Sequence, residues 1–196
     1  MIDLKLSLKK SGFFRTQREQ IPVDFQGAPL PWYCYSSIYF LEPRLKKDFK
    51  VFEYGAGNSS LWYGERVEKV VSVESNKKFA LVTAEQAGPN ITIIFECETE
   101  RYINAILQSK NKFDIIVVDG PHKTASRFEC VKIALSCLKD SGVIVLDNSN
   151  GILQKPIFPY LKELNFKYLD FYGLGPQSLI FWGTTIFYRD GNCLGI

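Results

Sequence analysis

The stretch VFEYGAGNSSLWYGERVEKVVSVE, residues 51–74, decides the fold. A short apolar run opens it, and Gly55-Ala56-Gly57 turns the chain into a helix from about Ser59. A second apolar run, Val70-Val71-Ser72-Val73, ends on Glu74. Strand, glycine turn, helix and strand with a terminal acid is the nucleotide-binding half of a doubly wound α/β sheet. Gly55 and Gly57 open backbone angles closed to other residues and leave bare main chain for a ligand to lie against. Glu74 stands where a carboxylate accepts hydrogen bonds from both ribose hydroxyls.

Two positions separate one nucleotide from another. The dinucleotide fingerprint is G-x-G-x-x-G, and its third glycine is Ser60 here, which predicts a looser contact between helix and strand. Glu53 lies two residues before the first glycine. Its carboxylate repels a pyrophosphate by about 1 kcal/mol per charge pair even in water, and by more in a cleft. A cation suits it. The run E-Y-G-A-G-N-S resembles motif I of the class I S-adenosylmethionine-dependent methyltransferases, whose cofactor carries a sulfonium and an ammonium. The resemblance spans residues 51–148. It implies S-adenosylmethionine as cofactor, with Glu53, Gly55, Gly57, Asn58, Ser59 and Glu74 around it. It also implies a doubly wound, mostly parallel seven-stranded sheet whose last strand is antiparallel.

Working outward, residues 1–30 read as an extended or loosely helical arm rich in turn formers. Residues 36–46 carry apolar side chains at near-helical spacing, with Ser36 or Ser37 as N-cap and Pro43 dividing the helix in two. Trp32, Tyr33 and Tyr35 read first as packing residues, with a roof over the cofactor as the alternative. Beyond Glu74, Asn76 caps a helix to about Ala87, and residues 91–95 form the third strand. In the resembled family the residues after that strand hold the adenine, here Glu96, Cys97 and Glu98. Glu98 equally suits the N-cap of a helix over 101–109.

Residues 113–118, FDIIVV, are a continuous apolar run and predict a central parallel strand buried on both faces. A helix over 127–138 follows. Asp140-Ser141-Gly142 reads as the turn into a strand over 143–146, which ends at Asp147-Asn148. A helix over 158–164 leads to two β-rich stretches, 166–172 and 179–188, joined through Gly173-Leu174-Gly175-Pro176. Residues 1–196 read as one domain: an arm and helix over 1–48, a cofactor-binding core over 49–150, and a helix and hairpin over 151–196.

Ligands of open α/β sheets bind beyond the carboxyl ends of the strands. That edge gathers Glu53, Glu74, Asp119 to His122, and Asp147-Asn148. The pair V-V-D-G-P-H and V-L-D-N resembles the metal-dependent O-methyltransferases of the catechol and caffeoyl-coenzyme A type. That resemblance implies Asp119, Asp147 and Asn148 as ligands of Mg2+ or another divalent cation. His122 falls where those enzymes keep a basic lysine, and an imidazole with an ordinary pKa of about 6.5 accepts a hydroxyl proton near neutrality. Asp119 has a second reading, a bond to the methionine end of the cofactor.

Composition narrows the rest. A chain 46% hydrophobic and 14% aromatic is too apolar for disorder. The net charge of +3, with no long basic block, calls for no nucleic acid partner. Five cysteines, an odd number without C-x-x-C spacing, point to reduced thiols and a cytoplasmic protein. No signal peptide or membrane-length apolar run is evident. The reading is methyl transfer from S-adenosylmethionine to an oxygen or nitrogen of a small-molecule acceptor, with the oligomeric state open. The alternatives are an NAD(P)-dependent oxidoreductase, disfavoured by Glu53 and Ser60, an aminopropyl transferase, disfavoured by the lack of a second acidic pair, and a non-catalytic nucleotide-binding module.

Overall fold

Alternating apolar runs and helix-forming segments build one sheet with helices on both faces. The computed structural model describes residues 4–120, 127–177 and 179–196. Helices α1 (Leu4–Lys10), α2 (Phe13–Glu19) and α3 (Tyr35–Leu41) precede the first strand. Then come β1 (Lys50–Tyr54), α4 (Asn58–Gly64), β2 (Lys69–Glu74), α5 (Lys77–Gln86), β3 (Ile91–Phe95) and α6 (Thr99–Gln108). The second half adds β4 (Phe113–Val118), α7 (Arg127–Ala134), β5 (Leu138–Asp147), α8 (Ile157–Glu163), β6 (Lys167–Gly173) and β7 (Trp182–Tyr188).

The strand order is β3-β2-β1-β4-β5-β7-β6. Neighbouring strands among β1 to β5 pair in parallel, and β7 runs antiparallel to both β5 and β6. Strand order reverses between β1 and β4, so their carboxyl ends open the crevice where such sheets take a ligand. Both faces are packed. Phe52, Tyr54, Ile116, Val118, Ile144 and Leu146 join one core, while Val51, Ile115, Val117, Val143 and Val145 join the other. That is why β4 has no polar face: all six of its residues are buried. Among the described residues no helix is long and apolar enough to cross a membrane.

Four segments differ from the expectation, each for a local reason. The arm contains two helices, and it is anchored rather than loose. Thr16 is fully buried, and its hydroxyl exchanges hydrogen bonds with both the N–H and the carbonyl of Val23, each at 3.0 Å. Asp24 Oδ1 accepts from the N–H groups of Gln26, Gly27 and Ala28. α3 starts from Cys34 rather than a serine cap, and Pro43 falls in a 3-10 turn, Glu42–Arg44, that ends the helix as a second short piece. The helix at 127 tightens into a 3-10 turn over Leu135–Cys137, because the chain enters β5 already at Leu138. Leu138 pairs with Phe113, and the register shifts before Val143 meets Ile115. Asp140-Ser141-Gly142 is therefore an irregularity inside a strand, spelled with turn-forming residues. Finally, β7 begins at Trp182, leaving Leu179, Ile180 and Phe181 exposed before it.

Candidate cofactor and catalytic site

The site begins with Glu53. It sits on β1 beside Ser72 of β2 and Val117 of β4, in the most enclosed part of the sheet. Only 1% of it is exposed. Ser72 Oγ donates to Glu53 Oε2 at 2.8 Å and lies 3.0 Å from Ser60 Oγ, which accepts from Gly57 N–H at 3.3 Å. Ser60 is therefore not a loose joint, as the fingerprint suggested. It is fully buried and links the glycine turn to the carboxylate.

Among the described residues Glu53 Oε1 has no hydrogen-bond partner, and neither do the buried hydroxyls of Tyr33 and Tyr63. Burial pushes the Glu53 carboxyl up to about 7, opposed by the hydroxyls of Ser60, Ser72 and Ser59, with the charge of Asp119 adding to the rise. Burial and the Glu53 charge also raise Tyr63. An orphaned carboxylate oxygen in an enclosed site is chemically fitted to a cation and unsuited to a phosphate.

This burial has a consequence for stability. Between pH 4.5 and about 7 the folded chain keeps a proton on Glu53 that the unfolded chain releases. The contribution is fully present below pH 4.5 and is lost as pH rises through 7, a span on the order of 3 kcal/mol. Glu53→Gln is expected to lose that decline. Denaturant titrations at pH 5 and pH 8 should show the variant gaining on the wild type at the higher pH, and an unchanged difference would refute the shift.

The glycine turn lies above. Gly55 has φ of +105°, and a Cβ there would stand 3.1 Å from the main-chain nitrogen of Gly120. Gly57 differs: its φ of 162° is extended backbone, and a Cβ added to it meets none of the described residues within 4 Å. Glu74 at the end of β2 accepts from Ala56 N–H at 3.0 Å and Asn76 N–H at 2.6 Å, one on each oxygen, which leaves two of the roughly four acceptor sites of a carboxylate. Asn58 Nδ2 donates to the Pro22 carbonyl at 2.6 Å, and Gln17 Nε2 to the Pro176 carbonyl at 3.3 Å, drawing the arm to this edge. Ser59, the second residue of α4, brings its hydroxyl beside Glu53.

After β3, Glu98 is the N-cap of α6, accepting from Glu100 N–H and Arg101 N–H. Its capping reading holds, and Cys97 beside it is exposed. Tyr33 is fully buried, as a packing residue should be, while Trp32 is 46% exposed.

At the ends of β4 and β5 the structure brings Asp119, Asp147 and Asn148 together around a residue the sequence reading passed over. Arg127, the first residue of α7, is 6% exposed. Its guanidinium donates to the Asp147 carbonyl, donates to Asn148 Oδ1 at 3.1 Å and pairs with Asp119 Oδ1 at 3.6 Å. Asn148 holds a left-handed conformation, φ 49°, that places its amide there. The Asp147 side chain accepts instead from Thr184 Oγ1 at 2.6 Å and is 2% exposed. Burial raises the Asp147 carboxyl well above its usual range, and the charge of Asp119 adds to the rise. Among the described residues no group of three acidic, cysteine or histidine side chains is set to hold a metal. The expected ligand set is present, but Asp119 Oδ1, Asn148 Oδ1 and the Asp147 carbonyl face a guanidinium, and Asp147 Oδ1 is held by a threonine. It does not fit a divalent cation. His122 lies outside the described residues.

Arg127 did have a sequence signal. A cation in the first turn opposes the helix dipole, so an arginine opening α7 has a partner outside its helix. The serine relay had none, since Ser60 and Ser72 read as ordinary small residues.

A sheet ordered 3-2-1-4-5-7-6, with a glycine turn over an acid on β1 and a second acid ending β2, defines a class I S-adenosylmethionine-dependent methyltransferase. The chain belongs to the methyltransferase domain family, whose model matches residues 52–149. No curated protein matches the chain in sequence. Solved structures resemble it in fold. One is the O-methyltransferase TomG of Streptomyces achromogenes, involved in tomaymycin synthesis and solved with S-adenosylmethionine, at TM-score 0.63 and 16% identity over 97% of this chain and 92% of that one. Precorrin-6y C5,15-methyltransferase of Geobacter metallireducens aligns at TM-score 0.64 and 14% identity, over 79% and 87%. An rRNA methylase of Streptococcus thermophilus aligns at 0.58 and 13%, over 79% and 95%.

Proposed function

We propose that this chain moves a methyl group from S-adenosylmethionine to an oxygen or nitrogen of a small-molecule acceptor. The observation that carries the cofactor is the buried carboxylate of Glu53, whose Oε1 has no partner among the described residues and whose Oε2 is linked through Ser72 and Ser60 to the glycine turn at Gly57. Gly55 and Gly57 form the cradle. Asn58 and Ser59 set the start of α4, and the two remaining acceptor sites of Glu74 take the ribose hydroxyls. The main chain at Cys97 borders the adenine. Asp119, with a side chain 29% exposed, adds to the negative field of Glu53 on the cationic end of the ligand. When bound, the cofactor supplies an electrophilic methyl on its sulfonium.

The protein's task is then alignment of the acceptor with that methyl, which accounts for most of the rate in such transfers. Where the acceptor is a hydroxyl, His122, three residues past Asp119 in sequence, takes its proton. A small acceptor is favoured over RNA because the net charge of +3 is spread over 196 residues without a basic block. The test is S-adenosylhomocysteine release in the presence of phenols, catechols, carboxylates, amines and ribosomal RNA. Release with a small molecule supports the proposal, and release with RNA alone overturns it.

Glu74→Ala is expected to weaken S-adenosylhomocysteine binding by about 1–3 kcal/mol, the usual loss for hydrogen bonds to a charged acceptor. Calorimetric titration measures this, and an unchanged affinity removes Glu74 from the ribose site.

A further inference from the structure

We infer that the guanidinium of Arg127 is the resident cation of the strand-end cluster formed by Asp119, Asp147 and Asn148, and that this site takes no divalent metal. The inference rests on the methyltransferase reading only for the cluster's place at the catalytic edge. Its support is geometric. One side chain reaches an oxygen of each of the three residues: the Asp119 carboxylate, the Asp147 carbonyl and the Asn148 amide.

A divalent ion in the same cluster would need those oxygens at about 2.0–2.6 Å. The Arg127 nitrogen already stands 3.1 Å from Asn148 Oδ1 and 3.6 Å from Asp119 Oδ1, so an added ion would lie against a like charge. A guanidinium keeps its charge in a folded protein, so that repulsion persists. The Asp147 carboxyl is turned away to Thr184 Oγ1, which in turn accepts from Cys34 N–H at 3.3 Å. Turning it toward a metal would break a buried bond and leave the Thr184 hydroxyl without its acceptor.

The arrangement also explains the burial of Arg127. A charge 6% exposed persists only when it is paired and hydrogen-bonded, and this one has an ion pair and two acceptors. Arg127 acts through the residues it holds. It is a positioning residue that fixes the carboxylate of Asp119 and the left-handed turn at Asn148.

Mn2+ alone is the probe, followed by the electron paramagnetic resonance of free ion. The wild type is expected to show no stoichiometric site tighter than about 1 mM, the weak end of protein sites for divalent ions. Arg127→Met frees the oxygens and is expected to gain at least a tenfold increase in Mn2+ affinity, whereas Arg127→Lys keeps a cation and does not. Circular dichroism reports whether each variant folds. A stoichiometric wild-type site that vanishes in Asp119→Asn would overturn the inference, whether or not the variants fold. So would a folded Arg127→Met that binds no more Mn2+ than the wild type. S-adenosylhomocysteine titration of the same wild-type sample separates the two proposals: failure there sinks the methyltransferase reading and leaves the metal result standing.

Discussion

Gly57→Val is expected to abolish S-adenosylhomocysteine binding, a loss of about 100-fold or more and on the order of 3 kcal/mol, while the chain stays folded. Both halves follow from one position. The backbone at Gly57 is extended, a conformation open to any residue, and a Cβ there touches none of the described residues within 4 Å. The substitution is therefore expected to leave the free protein folded. In the proposed cofactor pose its branched side chain instead fills the space that the ligand occupies at the turn. Gly55 makes a poorer test. Its φ of +105° and the main chain of Gly120 only 3.1 Å from an added Cβ would confound lost binding with lost folding. Calorimetry and thermal melting of Gly57→Val decide the matter. Wild-type affinity in a folded variant would place the ligand elsewhere.

The second large effect is expected at His122. Once an acceptor hydroxyl is identified, His122→Ala should lower turnover by about 10²–10⁴-fold, the range for loss of a general base. Wild-type turnover should also fall in acid around an apparent pKa of 6–7, the ordinary range of an imidazole. Cofactor affinity should barely move, because the proposed cofactor contacts lie in the glycine turn and at Glu74. Paired kcat and S-adenosylhomocysteine titrations separate these outcomes. Unchanged turnover would leave the transfer to positioning alone.

Much of the fold was legible because its signals are local. FDIIVV has no polar face and became β4 over the same residues, and ITIIF became β3 likewise. Asn76 before an apolar-periodic run is an N-cap, and its side chain accepts from Lys78 N–H and Phe79 N–H. The misreadings came where distant chain overrides local preference. Asp140-Ser141-Gly142 spells a turn, but pairing between Leu138 and Phe113 keeps it inside β5. Residues 1–30 look loose, yet Gln17 donating to the Pro176 carbonyl and Asn58 donating to the Pro22 carbonyl tie them to distant chain.

The site divides in the same way. Strand-end residues could be placed on one edge from topology alone, and the structure does bring Asp119, Asp147 and Asn148 together. What they gather around had only one sequence signal, an arginine opening a helix, because the contact depends on the reach of Arg127 from the start of α7. Ser60 had none, and there a residue that departs from a glycine fingerprint supplies a hydroxyl bridging Gly57 and Ser72.

The central claim is that the turn at 55–57 binds a cationic nucleoside cofactor over a buried acid. Calorimetric titration of the wild type with S-adenosylhomocysteine, S-adenosylmethionine and NAD tests it most directly. The expected result is one site for each of the first two and no binding of NAD. Binding of NAD without either of the others would contradict the account.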